Sequence, residues 1–258
     1  MKALILGASS GFGREFAYQL AVKGHQLVLC SIDEHGLKLA REHIIKNYGC
    51  DVEIYAGDLT KKEVVREIVK RYSECDLVIN SAGFGVIGDV TEISCEKEQE
   101  MLDLNVNALY YLTKMFSMIM IGRKAGGIIN VASTASYIPM PNFGMYAATK
   151  SFVLSYTLSV SKEAEKYGVR IMAVCPGPTE TNFLPKEQYD RIRKKLFDLP
   201  VLMSPEKVVK NTLIKFEKRS RVYIPGVLNK VINFVDRFLP TEVILNTIYK
   251  LYGYIKEK

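Results

Sequence analysis

Tyr146 and Lys150 bracket the segment Tyr146-Ala147-Ala148-Thr149-Lys150, and on a helix that spacing puts a phenol and an ammonium on one face. A cation so placed favours the phenolate, which equips the pair to exchange a proton with a bound oxygen atom. Spacing alone does not single it out, because Tyr110/Lys114, Tyr252/Lys256 and Tyr254/Lys258 repeat it. Context does. Thirteen residues before Tyr146 stands Ser133, just past the apolar run Ile128-Ile129-Asn130-Val131-Ala132, and the end of such a strand in an α/β sheet faces a ligand crevice. Thr241 holds the same offset from Tyr254, but it follows Pro240 with no strand before it. Thr134 and Ser136 are neighbouring hydroxyls for which loop backbone is the plainer partner.

A second chemical signal is Gly7-Ala8-Ser9-Ser10-Gly11-Phe12-Gly13, between a short apolar run and a helical stretch. Bare backbone at a helix N-terminus can approach a pyrophosphate and meets it with a favourable dipole. The spacing Gly-x3-Gly-x-Gly departs from the commoner dinucleotide fingerprint. Arg14 and Glu15, where a triphosphate-binding loop carries Lys and Ser or Thr, exclude that alternative.

These groups need a scaffold. Short apolar runs at Leu4 to Leu6, Leu27 to Cys30, Val52 to Tyr55, Leu77 to Ile79, Ile128 to Val131 and Ile171 to Val174 read as strands. Helices are expected over residues 12–23, 34–47, 61–73, 96–121, 145–167 and 205–217. The alternation predicts an α/β, Rossmann-like doubly wound parallel sheet of about seven strands with helices on both faces. Thr60, with Glu63 three residues on, reads as a capping box, and Ser204-Pro205 as an N-cap followed by proline at the first helical position. Residues 1–225 are expected to form the catalytic domain and 226–258 a helical extension packed on it. Residues 178–203, with Pro178, Pro185 and Pro200, break the pattern and read as a lid.

Composition sets the outer bounds. In 258 residues, 48% hydrophobic and 24% charged, the chain has the make-up of a globular protein with a large core rather than of a disordered or coiled-coil one. The net charge is +7, and seven basic against three acidic residues from Arg219 to Lys258 place +4 of it in the tail. No nucleic-acid-binding motif accompanies that excess. Five scattered cysteines without a C-x-x-C, and three isolated histidines, indicate neither a disulfide framework nor a metal site, and they fit a reducing cytoplasm. The first apolar run is too short for a signal peptide, and no window has the length of a membrane span.

Taken in order, the motifs resemble those of the short-chain dehydrogenase/reductase family in its compact form. The resemblance covers essentially residues 1–225 and rests on Gly7-x3-Gly11-x-Gly13, Asp58-Leu59, Asn80-Ser81-Ala82-Gly83, Asn105, Ser133 with Tyr146 and Lys150, and Pro176-Gly177-x3-Thr181. It implies hydride transfer between nicotinamide C4 and a carbonyl carbon, with Tyr146 as general acid or base and Ser133 on the carbonyl oxygen. Lys150 would hold the nicotinamide ribose, and Asn105 would position a water joining Lys150 to solvent. Gly7, Ser9, Ser10, Gly11, Phe12 and Gly13 would cradle the cofactor, Ser31 would lie near its ribose, and Asp58 and Leu59 near the adenine. Asn80, Ala82 and Gly83 would form its wall, and Pro176, Gly177, Thr179 and Thr181 would hold the nicotinamide.

By alignment with the family, Ser31 and Ile32 in Cys30-Ser31-Ile32-Asp33-Glu34 replace the residues that select NAD and NADP. The cofactor is therefore NADP(H) or NAD(H). NADP(H) is favoured because Ser31 leaves room for a phosphate that Arg14 could reach, while Asp33 or Glu34 would repel one. Apolar residues, among them Phe84, Val86, Ile87, Tyr137, Ile138, Pro139, Met140, Phe143, Phe183, Leu184, Leu196, Phe197 and Leu199, predict a lipophilic ketone or secondary alcohol as substrate. The resemblance also implies a homodimer or homotetramer through the helices near 96–121 and 145–167. The stripe Val227, Leu228, Val231, Ile232, Val235, Phe238 and Leu239 is expected to cover the cleft or a partner, with peripheral membrane contact the lesser reading. Two alternatives stand beside the oxidoreductase: epimerase or dehydratase chemistry, and a catalytically silent dinucleotide-sensing or membrane-recruited binding protein.

Overall fold

The structure, a computed structural model, describes residues 1–179, 181, 183 and 203–256. Seven strands form one sheet: β1 (Lys2–Leu6), β2 (Gln26–Ser31), β3 (Val52–Ala56), β4 (Leu77–Asn80), β5 (Gly127–Val131), β6 (Arg170–Val174) and β7 (Val222–Tyr223). All pairings are parallel, in the order β3-β2-β1-β4-β5-β6-β7. The sheet is wound outward in both directions from β1, so the β1/β4 boundary is the topological switch point at which such sheets bind ligands.

The apolar runs that mark the central strands are continuous because both faces are covered. Alternate residues divide between two cores. Ala3, Ile5, Leu27, Leu29, Ile79 and Ile129 pack with α1 (Gly11–Val22), α2 (Glu34–Tyr48) and α7 (Pro205–Glu217). Leu4, Leu6, Val28, Val78 and Ile128 pack on the other face with α3 (Lys62–Arg71), α5 (Leu109–Arg123) and the end of α6 (Gly144–Glu165). Between β4, β5 and these last helices lies a buried polar chain: Asn80 Nδ2 donates to Asn130 Oδ1 at 2.7 Å and to Thr113 Oγ1 at 3.2 Å, and Asn130 Nδ2 donates to Thr157 Oγ1 at 2.9 Å.

The fold departs from the sequence reading in several places. The stretch 96–121 is not one α-helix: α4 (Cys95–Leu102) passes into a π-helical turn, Asp103–Ala108, before α5 begins. Ser204 does cap α7, accepting from Lys207 N with Pro205 next. Thr60 caps nothing, because α3 begins after Lys61, and the Thr60 N–H and hydroxyl both donate to Asp58 Oδ1. The N-cap position falls one residue later, on Lys61, and the Thr60 hydroxyl turns back to the Asp58 carboxylate.

After β7 come α8 (Val227–Val235), a 3₁₀ turn (Asp236–Phe238) and α9 (Thr241–Lys256). The expected apolar stripe does not cover the cleft as a whole. Val227, Val231, Val235, Phe238 and Leu239 are exposed, and Ile232 alone of the stripe borders the cavity described below. No helix among the described residues is long and apolar enough to cross a membrane.

Candidate active site

The C-terminal ends of β1 to β6 open into a cavity of about 830 Å³. One lobe is lined by Gly7, Ser9, Ser10, Gly11 and Phe12 from the first turn, Ser31 and Ile32 after β2, and Asp58, Leu59, Thr60 and Lys61 after β3. The wall continues through Ala82 and Gly83 to Ser133, Tyr146 and Lys150, and closes with Pro176, Gly177, Thr179 and Thr181 after β6. Gly13, Asn80 and Asn105 are not among the lining residues, and each supports the wall from behind.

Gly13 is dictated by a close approach: a Cβ there would lie 2.1 Å from Gly7 O, so only glycine lets α1 start against the phosphate turn. Ser10, the N-cap of α1, makes no side-chain cap bond, so the helix's first amides are left to a ligand. Thr181 packs above this turn, its Cβ 3.6 Å from the place a Gly11 Cβ would occupy. A pyrophosphate fits this uncapped, glycine-floored helix end. Asn80 turns away into the buried polar chain, so the cofactor wall expected of it is made by Ala82 and Gly83.

Around Ser31, hydroxyls take the place of carboxylates. Ser31 Oγ lies 2.9 Å from Ser9 Oγ and accepts from Asp33 N. The acids that could repel a 2′-phosphate are engaged locally: Asp33 caps α2 through Gly36 N, and Glu34 pairs with Lys38 at 2.7 Å. Burial raises the Asp58 pKa, but the two bonds from Thr60 and the charge of Lys61 outweigh it and hold the carboxyl below its usual range.

Ser133 ends the β5 segment as the N-cap of a 3₁₀ turn, Thr134–Ser136, accepting from Ala135 N at 3.1 Å. Ser136 is occupied structurally, its Oγ donating to Lys150 O at 2.8 Å. Tyr146 and Lys150 lie one turn apart near the start of α6, both buried. Phe143 stacks on the Tyr146 ring with centroids 4.3 Å apart, and Phe183 approaches it at 5.3 Å. Lys150 Nζ donates to Val131 O at 2.9 Å and lies 5.7 Å from the Tyr146 ring centroid. Burial pushes the lysine down to about 8, against a weaker upward pull from Cys175.

Asn105 is fully buried inside the π-helical turn. Its Oδ1 accepts from Phe84 N at 3.1 Å, and its Nδ2 donates to Phe84 O at 2.9 Å and to Thr149 Oγ1 at 3.2 Å. Its side chain thus ties the β4 loop to α6. Gly83 sits between it and Lys150: a Cβ there would lie 2.9 Å from Asn105 Oδ1 and 3.4 Å from Lys150 Nζ.

The apolar lobe next to Tyr146 contains Ile138, Met140, Phe143 and Phe183 as expected, together with Ile248 of α9. Leu184, Leu196, Phe197 and Leu199 of the expected lid lie outside the described residues. Lys97 and Glu100 of α4, and Asn229, Ile232 and Asn233 of α8, also line the cavity. Of these, sequence reasoning had named Ile232 alone, and it gave the others no role. No cluster of three or more His, Cys, Asp or Glu side chains suited to a metal occurs among the described residues.

A doubly wound parallel sheet with a glycine-floored helix end and a Ser/Tyr/Lys cluster at its switch point defines a nicotinamide-dependent oxidoreductase class. The short chain dehydrogenase family model matches residues 1–191, and the chain belongs to that family. A diacetyl reductase, (S)-acetoin forming, of Staphylococcus epidermidis is 31% identical over 202 residues, 76% of each chain. Among solved structures, a short-chain dehydrogenase from Sphingobium yanoikuyae in complex with NADPH superposes with a TM-score of 0.78 at 26% identity, covering 93% of this chain and 96% of that one. A bulky-bulky ketone specific alcohol dehydrogenase from Comamonas testosteroni gives 0.79 at 26% identity, covering 92% and 91%.

Proposed function

We propose that this protein interconverts lipophilic ketones and secondary alcohols with NADP(H) as the favoured cofactor. The observation that carries the reading is the convergence of Ser133, Tyr146 and Lys150 on one cavity whose adjoining lobe is apolar. When bound, the nicotinamide supplies a hydride to the carbonyl carbon or accepts one from the alcohol carbon. The uncapped N-terminus of α1 holds the pyrophosphate, and Asp58 and Leu59 border the adenine. The hydroxyls of Ser9 and Ser31 receive the 2′-phosphate, with the neighbouring Asp33 carboxylate held at Gly36 N. Pro176, Gly177, Thr179 and Thr181 bound the nicotinamide end.

In reduction, Ser133 accepts from Ala135 N and donates a hydrogen bond to the substrate oxygen, keeping its own proton and stabilising the charge that gathers there. Tyr146 then transfers its hydroxyl proton to that oxygen, and takes it back in oxidation. The Lys150 ammonium, fixed at Val131 O, stabilises the phenolate left behind and reaches the nicotinamide ribose. Asn105 is a positioning residue, acting through Phe84 and Thr149. Phe143 and Phe183 hold the phenol ring and exclude water.

We further propose that the chain works as a homodimer or homotetramer in the cytoplasm. Exposed Tyr110, Met118 and Phe152 on α5 and α6 support pairing through those helices. The reading as a reductase is tested by following NADPH consumption with a panel of aryl alkyl and cyclic ketones. Turnover with several of them is the expected result, and none with any ketone despite NADPH binding would overturn it.

A further inference from the structure

Helix α8 is packed with its polar stripe inward. Asn229 and Asn233, four residues apart, are each 5% exposed, whereas Val227, Val231 and Phe234 are 77%, 50% and 61% exposed. A helix on a globular core ordinarily does the reverse. Asn229 has a structural reason: its Nδ2 donates to Pro225 O at 2.8 Å, and its amide fills the space over Gly177, where a Cβ would come within 2.5 Å of it. Asn233 has none of this kind. Its Nδ2 is buried without a hydrogen-bond partner among the described residues, and the residue lines the cavity. A buried donor left unmade is costly, and one on a residue beside a cavity is satisfied when a ligand brings an acceptor within its reach.

The position of α8 says which end of the ligand that is. The lobe bounded by Ser31 and Asp58 lies at β2 and β3, toward one edge of the sheet, while α8 follows β7 at the opposite edge. The helix after it, α9, sends Ile248 into the apolar cluster around Tyr146 and Phe143. The tail therefore lies at the nicotinamide and substrate end of the cavity, away from the lobe at Ser31 and Asp58.

We infer that Asn233 is a specificity-determining residue whose Nδ2 donates to a second, non-reacting acceptor on the substrate. The preferred ketones are then amphipathic: an apolar body that carries an ester, keto or hydroxyl oxygen besides the carbonyl that is reduced. This rests on the cavity being the ketone site proposed above.

The test is equilibrium binding to the NADP⁺-saturated protein, where no turnover occurs, with ketones in matched pairs. Ethyl benzoylacetate against hexanophenone is one pair, and 4-oxo and 6-oxo esters against alkyl ketones of equal length are others. In the wild type at least one acceptor-bearing member binds about tenfold more tightly than its counterpart, and Asn233→Leu and Asn233→Asp each abolish that ratio. Absence of a preference in every wild-type pair, a ratio that survives both substitutions, or parallel weakening of both members would overturn the inference. Ketone-dependent NADPH oxidation on the same samples separates the two claims. An Asn233-dependent preference without turnover overturns the reductase reading alone, and turnover without a preference overturns this inference alone.

Discussion

Lys150 Nζ donates to the carbonyl oxygen of Val131 at 2.9 Å, so a cation from α6 is tied to the last residue of β5. The bond fixes Tyr146, one turn earlier on the same helix, against the strand end that carries Ser133. It also keeps a charge where little water reaches, which is why the lysine is pushed down to about 8.

That depression has a signed consequence for stability. Between about 8 and the ordinary lysine value of 10.5, the unfolded chain binds more protons at this position than the folded one, so this group's contribution to stability rises with pH across that window. Below 8 the full penalty is present. Urea denaturation of the cofactor-free protein and of Lys150→Met should show the wild type gaining on the variant from pH 7 to pH 10.5, by up to about 3 kcal/mol. A constant difference would mean that the lysine titrates normally.

Cofactor choice should turn on Ser31. An aspartate there would accept from the ribose hydroxyls of NADH but face the 2′-phosphate of NADPH with a like charge. Titration by nicotinamide fluorescence is expected to find wild-type protein binding NADPH more tightly. In Ser31→Asp the ratio of the two dissociation constants should move by at least about tenfold toward NADH, equivalent to ~1.4 kcal/mol.

The phosphate turn admits no side chain where α1 begins. With a Cβ 2.1 Å from Gly7 O, Gly13→Ala must displace backbone on one side or the other. Overpacking of this kind costs about 1–3 kcal/mol. The variant should therefore melt at a lower temperature and bind both nicotinamide cofactors weakly. Alanine at Gly24, where a Cβ would meet nothing within 4 Å but φ is +73°, should destabilise without that loss of binding.

Much of this architecture is written in local sequence. Runs such as Ala3-Leu4-Ile5-Leu6 read as strands buried on both faces, and Gly7, Asp58, Gly83, Ser133 and Thr181 each follow the C-terminal end of a strand, although the sheet order β3-β2-β1-β4-β5-β6-β7 is not the chain order. The two-residue β7 leaves no periodic trace. The π-helical turn at Asp103–Ala108 adds one residue within a continuous helical stretch, so residues 96–121 read as one α-helix. Thr60 and Glu63 match a capping pattern, but α3 takes Lys61 as its N-cap, one residue on. In α8, hydrophobic periodicity pointed to the wrong face, because a cavity rather than a core lies beneath Asn229 and Asn233.

The central claim is that Tyr146 passes the proton that accompanies hydride transfer, and Tyr146→Phe tests it most directly, since the ring and its stacking on Phe143 are kept while the hydroxyl is lost. NADPH oxidation by wild type and variant should be measured with the best ketone of the panel, alongside NADPH titrations of both. Loss of a general acid predicts a fall in kcat of about 10²–10⁴-fold with the NADPH dissociation constant little changed. A variant that turns over within a few-fold of wild type would contradict the account.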